Sequence, residues 1–450
     1  MKKKLTVQEY VVVASMLFGL FFGAGNLIFP VHMGQMAGSQ LVPATLGFLI
    51  TGVGLPLLSV AALGISKSEG LFDLSRKVSR PYAYFFTCLL YLTIGPFFAI
   101  PRCATTAFTV GIEQAVPQAA VRLWLLVFSA VFFAAALLFS LFPGKILTWV
   151  GKILNPFFLL FLGILIVVAL VKPSAAISAV APEGAYASQA FSTGFLEGYN
   201  TMDVLAGLAF GIIVVQVIRE LGVTDADAVA SSTVKAGVFS SLLMALIYLA
   251  VTVVGAQSRG LFATSENGGI ALAQIARHYL GSAGLVILAA TVTLACLKTS
   301  VGLITSCAET FCGMFPKGPK YRAWAVLFTL ISFALSNFGL STIISYSVPV
   351  LMFLYPLAIA LVLLALFGRF YRHDRAVYIS VIVCTLLAAL YDLICALPEG
   401  LYDALHADAV QAFGLRVLPF AGAGLGWICP LALGFVIGLA VHLMQKFRTK

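Results

Sequence analysis

The chain has 450 residues, of which 61% are hydrophobic and 10% are charged, and its formal net charge is +10. Soluble domains carry about 25% charged residues, so the composition excludes an ordinary soluble enzyme or nucleic-acid-binding module. Apolar runs of about 18 residues or more recur to the end of the chain. They predict an all-α polytopic membrane protein that contacts the lipid bilayer throughout.

These runs predict about twelve transmembrane helices. In chain order they fall at residues 8–36, 41–65, 81–112, 122–141, 145–172, 191–217, 231–256, 283–313, 322–336, 341–367, 376–397 and 416–445. With a cytoplasmic N-terminus, 20 of the 27 Lys and Arg residues lie on the cytoplasmic side and five lie outside. This positive-inside pattern predicts that both termini are cytoplasmic, and it explains the net charge without a nucleic-acid partner.

The layout of the spans predicts an internal repeat. A five-helix block at residues 8–172 and a second block at 191–367 each open on an interrupted span, and residues 376–445 add two helices. Because five is an odd number, the second block enters the membrane from the opposite face. Many secondary transporters have inverted repeats of this kind.

The first span is interrupted in its middle by the stretch GAGNLIFP. Gly23, Gly25 and Asn26 weaken a helix there, and Pro30 removes the backbone donor that would bond to the Asn26 carbonyl. The sixth span is interrupted by EGYNTMD, residues 197–203. Irregular backbone at membrane depth is tolerated only inside protein or along a wet cavity, so the paired breaks indicate a transporter's binding site.

The two breaks are expected to leave helix ends inside the membrane. Half-helices that start near Asn26 and Asp203 offer N–H groups to a carboxylate, and those that end near Phe22 and Glu197 offer carbonyls to an ammonium group or a sodium ion. Such a site suits an amino acid, and the apolar residues around it favour an apolar side chain. For Asp203 we predict an N-cap of the second half-helix, with contact to the substrate amine as the alternative.

Two basic residues lie deep within predicted spans, away from the span ends, where a charge costs at least about 2.5–3.5 kcal/mol and indicates function. Lys298 precedes the hydroxyl residues Thr299 and Ser300 in the eighth span. The helical offset of about 100° between Lys298 and Thr299 favours a different face for the lysine. Arg102 follows IGPFFAIP in the third span. We treat Lys298, Arg102 and Glu197 as candidates for coupling or gating.

Several stretches together resemble the bacterial branched-chain amino acid carriers, a family of cation symporters. They are FGLFFGAGNLIFP, IGPFFAIPR, GYNTMDVLAGLAFG, CLKTSVGLITSCAETF and SNFGLSTIISYSVPVLMFLYP, and the resemblance covers essentially the whole chain. It implies the leucine-transporter fold, with two inverted five-helix repeats plus two helices. It also implies sodium-coupled uptake of leucine, isoleucine and valine across the bacterial cytoplasmic (inner) membrane.

The resemblance further implies residues for each site. Substrate would contact two runs at the breaks, Gly23, Ala24, Gly25 and Asn26, and Gly198, Tyr199, Asn200, Thr201, Met202 and Asp203. A sodium ion, the implied coupling ion, would be held by the carbonyls of Gly19, Phe22 and Cys296 and the hydroxyls of Thr299 and Ser300.

The sequence leaves one close alternative to a sodium symporter. The closest alternative is a carrier of the same fold for small apolar amino acids that is proton-coupled or independent of cations. An enzyme would need converging His, Cys, Asp or Glu, and a channel would need polar rings along a pore; the sequence indicates neither. The eight cysteines form no CxxC pair, which predicts reduced thiols rather than a metal site or a disulfide framework.

Overall fold

The computed structural model describes residues 4–23, 25–141 and 159–448, and the regular structure in these ranges is helical. Up to residue 171 the helices are α1 (Val7–Phe21), α2 (Gly25–Ala37), α3 (Leu41–Leu49), α4 (Leu55–Ile65), α5 (Leu71–Arg76), α6 (Arg80–Leu92), α7 (Ala99–Gly111), α8 (Val121–Leu141) and α9 (Leu159–Val171). Within the described ranges, eight helical stretches are long and apolar enough to cross a bilayer.

The second half of the chain continues with longer helices. They are α10 (Tyr186–Glu197), α11 (Asp203–Glu220), α12 (Ala226–Ser258), α13 (Gly268–Met314), α14 (Tyr321–Ser336), α15 (Leu340–Phe367), α16 (Arg375–Cys395), α17 (Glu399–Ala404), α18 (Asp408–Val417) and α19 (Ile428–Arg448). Because lipid offers no hydrogen bonds to the backbone, a spanning segment must satisfy its own N–H and C=O groups, and the helix does so.

The first span breaks where the glycines predict it. The α1 helix begins with a capping box between Thr6 and Glu9 and ends at Phe21, and Phe22 is extended with φ −74° and ψ 97°. The chain resumes as a helix at Gly25 and continues through Pro30, which lies inside α2. The predicted break is therefore present, and the second half-helix starts at Gly25, next to the predicted start near Asn26.

The sixth span breaks by a different device. The α10 helix ends at Glu197, a 3₁₀ turn covers Gly198–Thr201, and Met202 has a left-handed backbone with φ 61° before α11 begins. A positive φ is uncommon for a residue with a side chain. This left-handed residue ends the 3₁₀ turn, and α11 starts as a new helix at Asp203.

A third break, which we did not predict, interrupts the span expected at residues 81–112. The segment Thr93–Phe97 is π-helical, and Gly95 within it has φ −98° and ψ −121°, far from helical values. Pro96 lacks a backbone N–H, which weakens the helix at the same place. The following helix, α7, therefore starts in mid-span, and Arg102 lies in its first turn.

The structure also corrects the limits of other predicted spans. The eighth span, expected at 283–313, is the second part of α13, whose backbone kinks at Gly281 with φ 67°. The last span, expected from residue 416, begins at Ile428, because Phe420 has a positive φ and separates α18 from α19. Part of the expected fifth span, residues 145–158, lies outside the described residues.

The half-helices α2 and α10 pack against their neighbours through glycine backbones. A Cβ at Gly34 of α2 would overlap the Thr252 carbonyl of α12. In the same way, a Cβ at Gly194 of α10 would overlap the Ala44 carbonyl of α3. Small residues allow this close approach of membrane helices and permit van der Waals contact between backbones. As a result, α2 and α10 leave no space for a side chain at these contacts.

Candidate functional site

A cavity of about 210 Å³ lies where the breaks of the first, third and sixth spans meet. It is lined by Gly19, Phe21, Gly23, Gly25, Asn26, Ile94, Ala99, Arg102, Cys103, Thr201, Met202, Asp203, Ala206, Phe210, Ile213, Lys298, Thr299, Gly302, Leu303 and Ser306. Because Ile213 and Ser306 line it, the cavity extends from the breaks along α11 and α13 towards the C-terminal ends of these helices.

Side-chain hydrogen bonds join the first break to the sixth-span break. The Asn26 amide nitrogen donates to Asp203 Oδ2 over 2.6 Å and also contacts the Tyr248 hydroxyl, which donates to the same carboxylate oxygen over 3.2 Å. Asn26 Oδ1 accepts from the Gly23 N–H at 2.9 Å, within its own break. These residues are buried or lie in the cavity wall, so the hydrogen bonds fix the two breaks relative to each other.

The N-cap role that we predicted for Asp203 is wrong. Met202 occupies the N-cap position of α11, and its side chain makes no capping hydrogen bond to the helix. Asp203 is the first helical residue, where its carboxylate points across to Asn26 and Tyr248 instead of back to its own helix. The cause is the left-handed conformation of Met202, which shifts the helix start by one residue.

The predicted substrate residues divide into two groups. Those that line the cavity are Gly23, Gly25, Asn26, Thr201, Met202 and Asp203, while Gly198, Tyr199 and Asn200 do not line it. Ala24, which we also predicted, lies outside the described residues. The cavity is therefore bordered by the two ends of the first break but only by the last residues of the second.

Packing accounts for the second group. Gly198 lies so close to the second span that a Cβ there would overlap the Thr51 hydroxyl. The Tyr199 ring stacks on Tyr355 with 4.0 Å between the centroids, and both rings are fully buried. Asn200 contributes its carbonyl, which accepts a hydrogen bond of 2.8 Å from Arg102 Nη1. These three residues therefore contact other parts of the protein and hold the break in place, on the side away from the cavity.

The predicted sodium ligands lie in the last turn and cap of α1 and on α13. Gly19 and Thr299 line the cavity, whereas Phe22, Cys296 and Ser300 do not. A Cβ at Gly23 would lie 4.0 Å from Thr299 Cγ2, so the first break lies beside α13. The Thr299 hydroxyl donates to the Ala295 carbonyl over 3.0 Å. The buried Ser300 hydroxyl has no hydrogen-bond partner among the described residues.

The candidates for coupling or gating occupy different places. Lys298 lines the cavity together with Thr299, so the expectation that they face apart is wrong. Arg102 also lines the cavity and is 4% exposed. Glu197 is the last residue of α10 and lies outside the cavity lining. Two residues that are adjacent on a helix can both line a cavity when the cavity extends around part of the helix circumference.

Sequence reasoning missed the part that the third span plays. Ile94, Ala99 and Cys103 line the cavity, on the two sides of the unpredicted break. The local signal was the pair Gly95–Pro96, since a glycine directly before a proline weakens a helix twice.

The sequence matches the model of a protein family described as "Branched-chain amino acid transport protein" over residues 6–445. The chain belongs to this family. It is 53% identical to the branched-chain amino acid permease BrnQ of Lactobacillus delbrueckii subsp. lactis, with 100% of each chain covered. It is 39% identical to the permease BrnQ of Bacillus subtilis (strain 168), again with 100% of each covered. The protein is thus a multi-pass membrane permease and not an enzyme.

Solved structures of leucine-transporter-type proteins share the fold. The inward-facing conformation of Mhp1 matches with a TM-score of 0.62 and 15% identity, covering 98% of this chain and 91% of Mhp1. MhsT in complex with L-phenylalanine matches with a TM-score of 0.56 and 15% identity, covering 98% and 99%. The predicted fold class, an all-helical membrane protein of the leucine-transporter type, is confirmed.

Proposed function

We propose that this protein imports the branched-chain amino acids leucine, isoleucine and valine across the bacterial inner membrane by symport with sodium. The observation that supports this most directly is the cavity between the broken helices, which combines helix ends and charged side chains with apolar walls. These features fit a small zwitterion that carries an apolar side chain. The family to which the chain belongs points to the same substrate class.

The apolar wall accounts for the choice of side chain. Phe21, Ile94, Phe210, Ile213 and Leu303 line the cavity beside its polar groups. Leucine has three more carbons than alanine, and each buried CH₂ contributes about 0.8 kcal/mol. We therefore expect leucine to bind roughly 50-fold more tightly than alanine, at about 2.4 kcal/mol in total.

The proposed arrangement of the chain assigns the cavity to one side of the membrane, as transport by alternating access requires. Residues 8–172 and 191–367 form the inverted five-helix repeats, and residues 376–445 form the added helices. With both termini in the cytoplasm, the C-terminal ends of α11 and α13 face the cytoplasm, and so does the cavity that extends along them. The backbone contacts of α2 and α10 close the opposite side. The structure then corresponds to an inward-facing state.

The coupling ion binds between the end of α1 and α13. A helix C-terminus leaves backbone carbonyls without intrahelical partners, and α1 ends in mid-membrane, with Gly19 and Phe22 in its last turn and cap. Carbonyl and hydroxyl oxygens suit a hard cation. The buried Ser300 hydroxyl and the nearby Thr299 hydroxyl supply side-chain oxygens, and Cys296 supplies a carbonyl one turn earlier.

A second candidate function is supported by one observation. Lys298 lines the same cavity next to Thr299, and no carboxylate among the described residues lies within 4.0 Å of its ammonium group. A lysine in this position can supply a fixed or titrating positive charge in place of a bound cation. The carrier would then be coupled to protons or independent of cations.

Labelled leucine uptake into proteoliposomes distinguishes these candidates. A sodium symporter concentrates leucine under an inward sodium gradient and not under a potassium gradient at the same pH. In that case Thr299→Ala should raise the sodium concentration needed for half-maximal uptake, because it removes a ligand. Uptake that follows a pH gradient, is unaffected by sodium and is altered by Lys298→Gln would instead support the second candidate.

Thr291→Ala is the matched control for Thr299→Ala. Thr291 lies on the same helix and bonds back to the Ile287 carbonyl over 2.8 Å, as Thr299 does to Ala295, but it does not line the cavity. Its loss should leave the sodium dependence unchanged. If the two alanine variants shift the sodium dependence equally, Thr299 is not a ligand and the assigned cation site is wrong.

A further inference from the structure

The helices α2, α7 and α11 all begin at the cavity, at Gly25, Ala99 and Asp203. The start of a helix leaves N–H groups without intrahelical partners and carries a partial positive charge. Helix starts that converge on one cavity therefore create a region of positive potential inside the membrane, where little solvent is present to screen it. The third-span break contributes to this effect by bringing α7 to the cavity.

Arg102 adds a full positive charge at the same place. Its Nη1 donates to the Asn200 carbonyl over 2.8 Å, and its guanidinium carbon lies 5.0 Å above the centre of the Phe29 ring. Its Nη2 would be 3.2 Å from a Cβ placed on Gly25, so the guanidinium reaches the first residue of α2. In the described part of the chain, no carboxylate lies within 4.0 Å of it.

This arrangement is unfavourable without an anion. A buried charge costs free energy unless it is paired, and a cation at helix N-termini is repelled rather than stabilised. Asp203 is the one carboxylate among the described cavity residues, and its Oδ2 already accepts from Asn26 and Tyr248. The guanidinium therefore has donors that face the cavity and no protein anion bonded to them.

We propose that Arg102 binds the α-carboxylate of the transported amino acid, with the start of α2 at Gly25 completing the carboxylate site. A guanidinium presents parallel N–H groups that match the two oxygens of a carboxylate. This inference rests on the proposed function, since it assigns one end of the substrate to one side of the same cavity. Arg102 is then a binding residue that determines specificity, and not only a candidate for gating.

Binding of leucine and leucinamide to the purified protein tests the assignment. Leucinamide keeps the ammonium group and the side chain of leucine but lacks the charged carboxylate. Wild-type protein should bind leucine more tightly than leucinamide, by about 10- to 100-fold. Arg102→Gln should abolish most of this preference by weakening leucine binding alone, and Arg102→Lys should give an intermediate preference because it keeps the charge but loses the planar fork.

Two outcomes overturn the inference. One is a wild-type protein that binds leucinamide as tightly as leucine, a result that does not depend on the folding of any variant. The other is Arg102→Gln protein that weakens binding of both ligands by the same factor. If wild-type protein binds a different carboxylate instead of leucine and that binding depends on Arg102, the branched-chain substrate is wrong while the carboxylate site stands.

Discussion

The half-helices α2 and α10 differ from α1 and α11 in what their glycines meet. On α2 and α10, Gly34 and Gly194 face the backbone carbonyls of neighbouring helices. On α11, by contrast, the atom nearest to a Cβ at Gly207 is a side-chain oxygen, Ser59 Oγ, which donates to the Pro56 carbonyl, and a Cβ at Gly23, just after α1, has no neighbouring atom closer than 3.7 Å. The backbone contacts of α2 and α10 lie away from the cavity, which α2 borders only through Gly25 and Asn26, whereas α11 lines it from Asp203 to Ile213.

This difference separates two mechanical roles within the same broken helices. A contact between two helix backbones has no side chain that can move, so α2 and α10 can leave their neighbours only as rigid bodies. The residues beside the cavity can instead adjust to a ligand by rotamer changes. The break in each span is what allows its two halves to differ in this way.

The largest expected effect comes from adding a methyl group to the closed side. In Gly34→Ala, the Cβ would overlap the Thr252 carbonyl and come within 2.9 Å of the Ala256 nitrogen, both backbone atoms. We expect a loss of stability at or above the usual range for overpacking, about 1–3 kcal/mol, together with loss of leucine uptake. Thermal unfolding of the purified protein measures the first and proteoliposome uptake the second.

Gly313→Ala provides the control for that substitution. No atom lies within 4 Å of a Cβ at Gly313, which is on α13 and outside the cavity lining. Alanine is also the better helix former, so this variant should be as stable as the wild type or slightly more stable. Equal melting temperatures for the Gly34 and Gly313 variants would show that the α2 contact has slack after all.

A somewhat smaller effect is expected from removing the link between the two breaks. Asp203→Ala leaves the buried Tyr248 hydroxyl without its acceptor, while the Asn26 amide keeps its contact with that hydroxyl. Each unsatisfied buried group costs about 1–3 kcal/mol. Tyr248→Phe removes one donor and keeps the bond between Asn26 and Asp203, so it should destabilise the protein less. Two variants with the same unfolding temperature would contradict the view that Asp203 connects the breaks.

The left-handed residue at the second break gives a third, smaller effect. Met202 has φ 61° and lines the cavity. A left-handed conformation costs a non-glycine residue about 1–2 kcal/mol, and a β-branched side chain tolerates it least. We therefore expect Met202→Val to unfold at a lower temperature than Met202→Leu, although both remove the thioether. The reverse order would mean that the break adopts another backbone conformation in solution.

The sequence was most informative where composition and backbone chemistry act together. Gly23, Gly25 and the polar run after Glu197 are anomalous within apolar spans, so both breaks could be predicted locally. The break at Gly95 was not predicted, because proline alone does not decide the matter in a membrane helix. Pro349 and Pro356 lie inside α15, which continues unbroken around them.

The side-chain network at the site could not be derived from the sequence. Asn26 and Asp203 are 177 positions apart, and nothing in either motif states that they bond to each other. The prediction that Asp203 caps its own helix was wrong because the carboxylate bonds to Asn26 and Tyr248, which are distant in sequence, instead of to nearby backbone N–H groups. Arg102 could be recognised as anomalous from its position in a span, but its contact with the start of α2 depends on the unpredicted break that brings α7 to the cavity.

The smallest expected effect tests whether Tyr199 packs behind the second break or contacts the substrate. Tyr199 was predicted to contact substrate, yet its ring stacks on Tyr355 and its hydroxyl is buried with no partner among the described residues. Tyr199→Phe keeps the stacking and removes only this unpaired hydroxyl, so leucine affinity should hardly change and the unfolding temperature should stay the same or rise. Tyr199→Ala should unfold earlier, since it removes a packed ring. A clear fall in leucine affinity in the Phe variant would place Tyr199 on the substrate after all, and would move the binding site towards α10.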